Sequence, residues 1–180
     1  MKPDKKAKPE KKTAGKAHRL RKIQDNVNTD YIISGRYKFR IRDPKELARH
    51  VFEDIEEGFY QKVKKGDFLV SGENFGCGSS REQAPQALKA TGLAAIAAKS
   101  FARIFYRNSL NLGLYLLECN TNYIDDGDEL ILDMEKNVLK NLSKGLNIDF
   151  KPIPPLARKI LDEGGMVEYF KKHGDLNIHA

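Results

Sequence analysis

Cysteine is scarce in this chain of 180 residues, which holds only Cys77 and Cys119. Two cysteines make no disulfide framework and no zinc-finger pattern. They are also too few for the thiolate set of an iron–sulfur cluster. The histidines (His18, His50, His173 and His179) lie far apart, and no pair has the spacing of a zinc site. No metal ligand set is expected. Long apolar runs are missing too: none approaches the roughly 20 residues that cross a bilayer. The N-terminus lacks the apolar segment of a secretory signal. No membrane partner and a cytoplasmic location are the expectations.

Excess charge is absent from most of the chain. The formal net charge is +7, but residues 1–22 hold eight lysines and two arginines against Asp4 and Glu10. That segment carries +8, and the remainder carries −1. The distribution of charge therefore argues against a nucleic-acid signal in the body of the protein, and nucleic acid is not the expected partner. Residues 1–22 show no apolar periodicity and are expected to form a disordered Lys-rich tail. A solubilising arm and a weak RNA-binding or acid-binding arm are the two readings of it. Residues 23–180 are expected to form one domain, since hydrophobic residues make up 40% of the chain.

Periodicity within that domain predicts a short strand at Tyr31–Ile33 and a loop or extended segment at 36–43. Asp43-Pro44 reads as an N-cap with proline in the first helical position. Leu47, Val51, Ile55 and Phe59 then follow at spacing four, which predicts a helix closed by Gly58. A strand at Asp67–Ser71, a glycine loop, and a helix at Ser80–Thr91 stopped by Gly92 come next. The run at 93–98 reads as a buried strand, Ser100 as the cap of a helix ending at Gly113, and 114–119 as another buried strand. This alternation over 67–119 is a parallel α/β arrangement. Three short strands and two C-terminal helices, 154–163 and 165–173, complete the chain.

The glycine loop reads GENFGCGSSREQ, Gly72 to Gln83. It lacks the lysine of a Walker loop, the third glycine of a dinucleotide fingerprint and the Gly-x-Ser-x-Gly of a nucleophile elbow. Two readings stand. Ser79 and Glu82 have the spacing of a capping box, which needs no further function. Alternatively, Gly76 and Gly78 permit close backbone approach to a ligand. A helix N-terminus attracts anions, and Arg81 would be a poor choice for the dipole but a good one for a carboxylate.

The runs GENFGCGSSREQAPQAL and AAIAAKSFARIFYRNSLNLGL, with NTDYIISGRY upstream, resemble the small subunit, or swivelling domain, of the aconitase superfamily. The similarity spans about residues 23–170 and is nearest to the isopropylmalate dehydratase branch. The resemblance implies an α/β domain of the swivelling β/β/α type. It implies a hydro-lyase that interconverts 2- and 3-isopropylmalate in leucine biosynthesis, active only with a large subunit. That partner would carry a 4Fe–4S cluster, and this chain would bind no cofactor. Ser79 would move the proton, Ser80 would support it, and Arg81 would bind a carboxylate of a small di- or tricarboxylate substrate.

The expected substrate loop departs from the Tyr-Leu-x-Thr-like or Tyr-Leu-Val-like sequences of the best-known members. Here Tyr37, Lys38, Phe39 and Arg40 follow Gly35-Arg36. Phe39 and Ile41 offer apolar contact, and Arg40 and Arg42 offer charge. The loop thus leaves open a related acid such as homoaconitate, a methylcitrate-type acid or 2,3-dimethylmalate. Asp30 is expected near the site, with an Asx turn as an equal explanation. Cys77 is expected to have a packing or loop role, and Arg103 opens a helix beside a possible site or interface.

Overall fold

The computed structural model describes residues 12–38 and 40–174. Seven strands form one mixed sheet: β1 (Lys12–Arg19), β2 (Phe68–Val70), β3 (Ala95–Ala98), β4 (Tyr115–Glu118), β5 (Glu129–Asp133), β6 (Val138–Asn141) and β7 (Leu146–Asp149). Their order is β4-β3-β2-β1-β5-β6-β7. The half from β4 to β1 is parallel, and the half from β1 to β7 is antiparallel. The sheet curls until its ends approach, because Cys119 after β4 bridges antiparallel to Phe150 after β7.

The domain boundary expected at residue 22 is corrected by β1. This strand is central: Ala17–Arg19 pair with β2 and Lys12–Lys16 with β5. Residues 1–11 lie outside the described residues. Helix and core logic cannot reveal such a strand, since Ala14 and Lys16 are exposed between inward positions. Backbone fit holds it in place. A Cβ on Gly15 would lie 2.2 Å from the Gly66 carbonyl oxygen. Asp67 accepts from the Lys16 N–H at 2.9 Å, from the Lys64 N–H at 2.8 Å, and contacts His18 Nε2 at 2.7 Å.

Strand alternation divides the interior into two cores. Phe68, Val70, Ala95 and Ala97 face one with Leu117, Leu132 and Ile148, inside the curl. Leu69, Ile96 and Ala98 face the other, beneath the helices. The period of two on a strand buried on both faces explains the uninterrupted apolar runs. Two crossover helices cover the second core: α5 (Gln83–Ala90), between β2 and β3, and α6 (Arg103–Leu112), between β3 and β4. Ala84, Ala87 and Leu88 are the inward face of α5, as the sequence predicts.

Four short helices fill the connection from β1 to β2: α1 (Thr29–Ile32), α2 (Gly35–Lys38), α3 (Pro44–Ala48) and α4 (Phe59–Lys62). Two C-terminal helices, α7 (Pro155–Asp162) and α8 (Met166–His173), pack on α6. Lys89 of α5 donates to the carbonyls of Leu112 and, at 2.9 Å, Gly164, which ties the ends of α6 and α7 together.

The connection holds the corrections to local structure. The expected strand at Tyr31–Ile33 is α1, because the Asn28 side chain caps it by accepting from the Asp30 N–H. The expected loop at 36–43 contains α2. Asp43 caps α3 and Pro44 begins it, as expected, but the helix ends at Ala48. Phe52 turns left-handed, with φ 59°, and its N–H leaves the helical ladder for the Ile32 carbonyl. Leu47, Val51 and Phe59 are still buried, so the apolar stripe survives although the single helix does not.

Candidate active site

The glycine loop joins β2 to α5 and runs beside Val27–Thr29. Gly76 donates to the Val27 carbonyl at 2.8 Å, and Thr29 donates to the Cys77 carbonyl at 2.8 Å. Both glycines are in the left-handed region, with φ 80° at Gly76 and 97° at Gly78. A Cβ on Gly76 would strike the Phe105 ring, and one on Gly78 would strike the Asn28 side chain, each at 2.2 Å. The glycines are required by turn geometry and by contact with α6 and α1.

Ser79, Ser80 and Arg81 line a cleft of about 300 Å³ with Thr29, Arg103 and Asn108. Both serines are exposed. The Thr29 hydroxyl donates to the Ser79 carbonyl at 3.0 Å, which fixes the backbone behind the serine. Arg81 Nε donates to Ser79 Oγ at 3.0 Å. Its Nη1 donates to the Ile33 carbonyl at 3.3 Å and forms an ion pair with Asp30. The Arg81 side chain is only 15% exposed, so three partners hold it in one orientation.

The capping box is not formed. α5 starts at Gln83, its N-cap is Glu82, and no side chain caps it. Arg81 therefore precedes the helix and does not oppose its dipole from within the first turn. Ser100 does not cap α6 either; its hydroxyl accepts from the Asn74 N–H at 2.8 Å, and Ala102 takes the cap position. In both cases loop-to-loop bonding competes with the local cap and wins.

Ser79, Ser80 and Arg81 are brought together with Asp30. Of the substrate-loop candidates, Tyr37 and Arg40 are not among the residues that line this cleft. Tyr37 stacks on His50 with ring centroids 3.9 Å apart. Its hydroxyl is hydrogen-bonded to Glu53, which raises its pKa and, together with His50, lowers that of Glu53. Ile41 packs partly buried on the core, and Arg40 and Arg42 are exposed. Lys38 lies on α2, and Phe39 lies outside the described residues. Arg103, expected to open a helix beside a site or interface, begins α6 and lines the cleft. Thr29 and Asn108 were not picked out as cleft residues by the sequence motifs; the first belongs to α1 and the second to a helix distant in sequence.

Cys77 is half-buried in the loop, whereas Cys119 is buried and its thiol is pushed up to about 12. Among the described residues, no three His, Cys, Asp or Glu side chains are grouped to hold a metal ion. No helix among them is long and apolar enough to cross a membrane.

A curled mixed sheet, two crossover helices and a Gly-Cys-Gly-Ser-Ser-Arg loop over an open cleft define a swivelling α/β domain of the aconitase type. The model of the family described as Aconitase C-terminal domain matches residues 4–122. A 3-isopropylmalate dehydratase small subunit 1 of Archaeoglobus fulgidus is 55% identical over 151 residues, covering 83% of this chain and 93% of that relative. The small subunit from Caldicellulosiruptor saccharolyticus is 50% identical over 92% of this chain and 94% of its own length. The crystal structure of 3-isopropylmalate dehydratase from Methanocaldococcus jannaschii superimposes with a TM-score of 0.85 at 48% identity, covering 91% of this chain and 95% of that one. The chain belongs to the aconitase C-terminal domain family, among the small subunits of 3-isopropylmalate dehydratase.

Proposed function

We propose that this chain is the small subunit of a two-chain hydro-lyase that interconverts 2- and 3-isopropylmalate, a step of leucine biosynthesis in the cytoplasm. The names of its relatives support the reaction. The observation that carries the residue roles is the 3.0 Å bond from Arg81 Nε to Ser79 Oγ. A guanidinium donating to a hydroxyl oxygen favours its deprotonated form, so Ser79 can take a proton from the carbon next to the hydroxyl-bearing one. The same oxygen returns the proton to the alkene when water adds back. Ser80, exposed beside it, supports the exchange. Arg81 keeps its guanidinium at the cleft and receives a substrate carboxylate in partial exchange for Asp30.

The partner large subunit would hold a 4Fe–4S cluster, which supplies Lewis-acid polarisation of the departing hydroxyl. The cleft opens on one side to solvent along exposed serines, which suits closure by a second chain. Once that partner is in place, segment 36–42 would read the far end of the substrate, Tyr37 and Phe39 by apolar contact and Lys38 and Arg40 by charge.

Co-expression with the large subunit tests the reading. The complex is expected to hydrate the alkene derived from isopropylmalate and to form both hydroxy isomers. The isolated chain is expected to be inactive. Turnover of a tricarboxylate alkene in preference to the isopropyl diacid would replace the substrate and keep the chemistry.

A further inference from the structure

Segment 36–42 has little of its own to hold it. Its helix α2 is four residues long and opens on Gly35, and a helix of that kind does not persist by propensity alone. Its order is concentrated in Tyr37. The Tyr37 carbonyl accepts from the N–H groups of both Arg40 and Ile41, each at 3.0 Å, so where Tyr37 goes the segment follows. The Tyr37 ring stacks on His50, with centroids 3.9 Å and planes 17° apart. Its hydroxyl donates to Glu53, and the same carboxylate lies 2.9 Å from His50 Nδ1. Arg36, whose guanidinium lies 5.4 Å over the Tyr37 ring, pairs with Asp54.

All of these partners come from 50–54, the bend after α3. Phe52 is at its centre with φ 59°, a conformation costly for a bulky side chain. The Phe52 N–H bonds the Ile32 carbonyl at 3.0 Å, and the next carbonyl, that of Ile33, accepts from Arg81 at 3.3 Å. One bend therefore braces both segment 36–42, through Tyr37, and the end of α1 against which Arg81 rests. Surface contacts of this kind add little to global stability one at a time. Several of them on one exposed segment fix its direction.

We propose that Glu53 and His50 are positioning residues: they clamp Tyr37, and the clamp sets how segment 36–42 meets the non-reacting end of the substrate and hence which acid is preferred. The proposal rests on the reading of 36–42 as the substrate segment of a hydroxy-diacid hydro-lyase. His50 holds the face of the Tyr37 ring and Glu53 holds its tip. A side chain held at both places offers one surface to the substrate and has little rotamer freedom left to lose on binding.

The test uses Glu53→Ala, His50→Ala and the conservative His50→Phe, which keeps a ring against Tyr37, in the reconstituted two-chain enzyme. The readout is kcat/KM for an alkene diacid bearing an isopropyl group, divided by kcat/KM for the same diacid bearing a methyl group. Glu53→Ala and His50→Ala are expected to lower that ratio about 10-fold, through KM for the isopropyl diacid, with kcat for the methyl diacid within about 3-fold of wild type. His50→Phe should restore most of the ratio. Amide hydrogen exchange on the full chain provides a second arm. The Arg40 and Ile41 amides should exchange about 10-fold faster in Glu53→Ala, while those of β3 keep their wild-type rates. An unchanged ratio overturns the proposal, and so does an equal loss on both diacids, which is what a merely structural clamp would give. Unchanged exchange at Arg40 and Ile41 also overturns it. A wild-type complex that turns over neither diacid overturns the functional reading and the preference with it, and the exchange arm still decides whether Glu53 and His50 hold Tyr37.

Discussion

Arg81 and Ser79 are joined side chain to side chain at 3.0 Å, two residues apart and outside any helix. Because Ser79 is not the cap of α5, its hydroxyl takes no part in starting that helix. Ser79→Ala is expected to abolish turnover in the reconstituted enzyme while the melting temperature stays within about 1 °C of wild type. Capping would instead predict a stability loss of about 1 kcal/mol. Paired assays of turnover and thermal melting separate the two, and near-normal turnover would remove Ser79 as the base.

Asp30 orients Arg81 from α1, and its carboxylate is half-exposed, at 50%. Asp30→Asn leaves the cap made by Asn28 in place, so α1 should persist. The guanidinium loses its ionic partner and its fixed direction. A drop in kcat/KM of about 10-fold is expected, near the lower end of a charged hydrogen bond. Arg81→Lys, which cannot span Ser79, Ile33 and Asp30 at once, should cost more, about 100-fold. Equal activity in Asp30→Asn and wild type would show that Ser79 and Ile33 alone suffice to hold Arg81.

The sequence was legible where one local signal acted without a rival. Buried strands β3 and β4, the Asp43-Pro44 start, the inward face of α5 and the Gly164-Gly165 break between α7 and α8 all answer to periodicity or backbone chemistry. It was illegible where distant contacts decide. β1 is lysine-rich and becomes a strand because Asp67 and a close backbone pass at Gly66 receive it. Phe52 breaks the helix after α3 because Ile32 offers its carbonyl. In the site, the Ser-Ser-Arg run was visible as a motif. Arg103 reaches the same cleft only through the β3–α6 crossover, so spacing along the chain could not join them.

The Asp67 cluster makes stability depend on acid. Burial opposes ionisation of Asp67, but His18 and the backbone N–H groups of Lys16 and Lys64 outweigh it and hold its carboxyl below the usual range. The folded pKa is thus lower than the unfolded one, near 3.9. The resulting stability is fully present above about pH 5 and is lost as pH falls through the folded pKa. Asp67→Asn should destabilise by about 1–3 kcal/mol at pH 7, through loosening of β1 against β2. Between pH 5 and pH 3 the variant should lose less stability than wild type. Urea melts at a series of pH values measure both, and parallel pH profiles would rule out Asp67 as a source of the acid sensitivity.

Gly78 couples the glycine loop to α1 by contact. At φ 97°, an alanine is strained before any clash is counted, by about 1 kcal/mol or more. Its Cβ would also meet the Asn28 carboxamide at 2.2 Å. Asn28 cannot yield without giving up the cap on Asp30 at 2.9 Å. Gly78→Ala should therefore act at two levels. Unfolding free energy is expected to fall by about 2–3 kcal/mol. Activity should fall further than stability explains, because α1 carries Asp30 and so sets Arg81. The check is kcat/KM measured well below the melting temperature of the variant. Asn28→Gly in the same background removes the clashing side chain and leaves the φ strain. If the clash is the cause, the double variant should regain stability relative to Gly78→Ala but not the activity that needs Asp30 in place. Recovery of both together would mean that the cap of α1 has no part in holding Arg81.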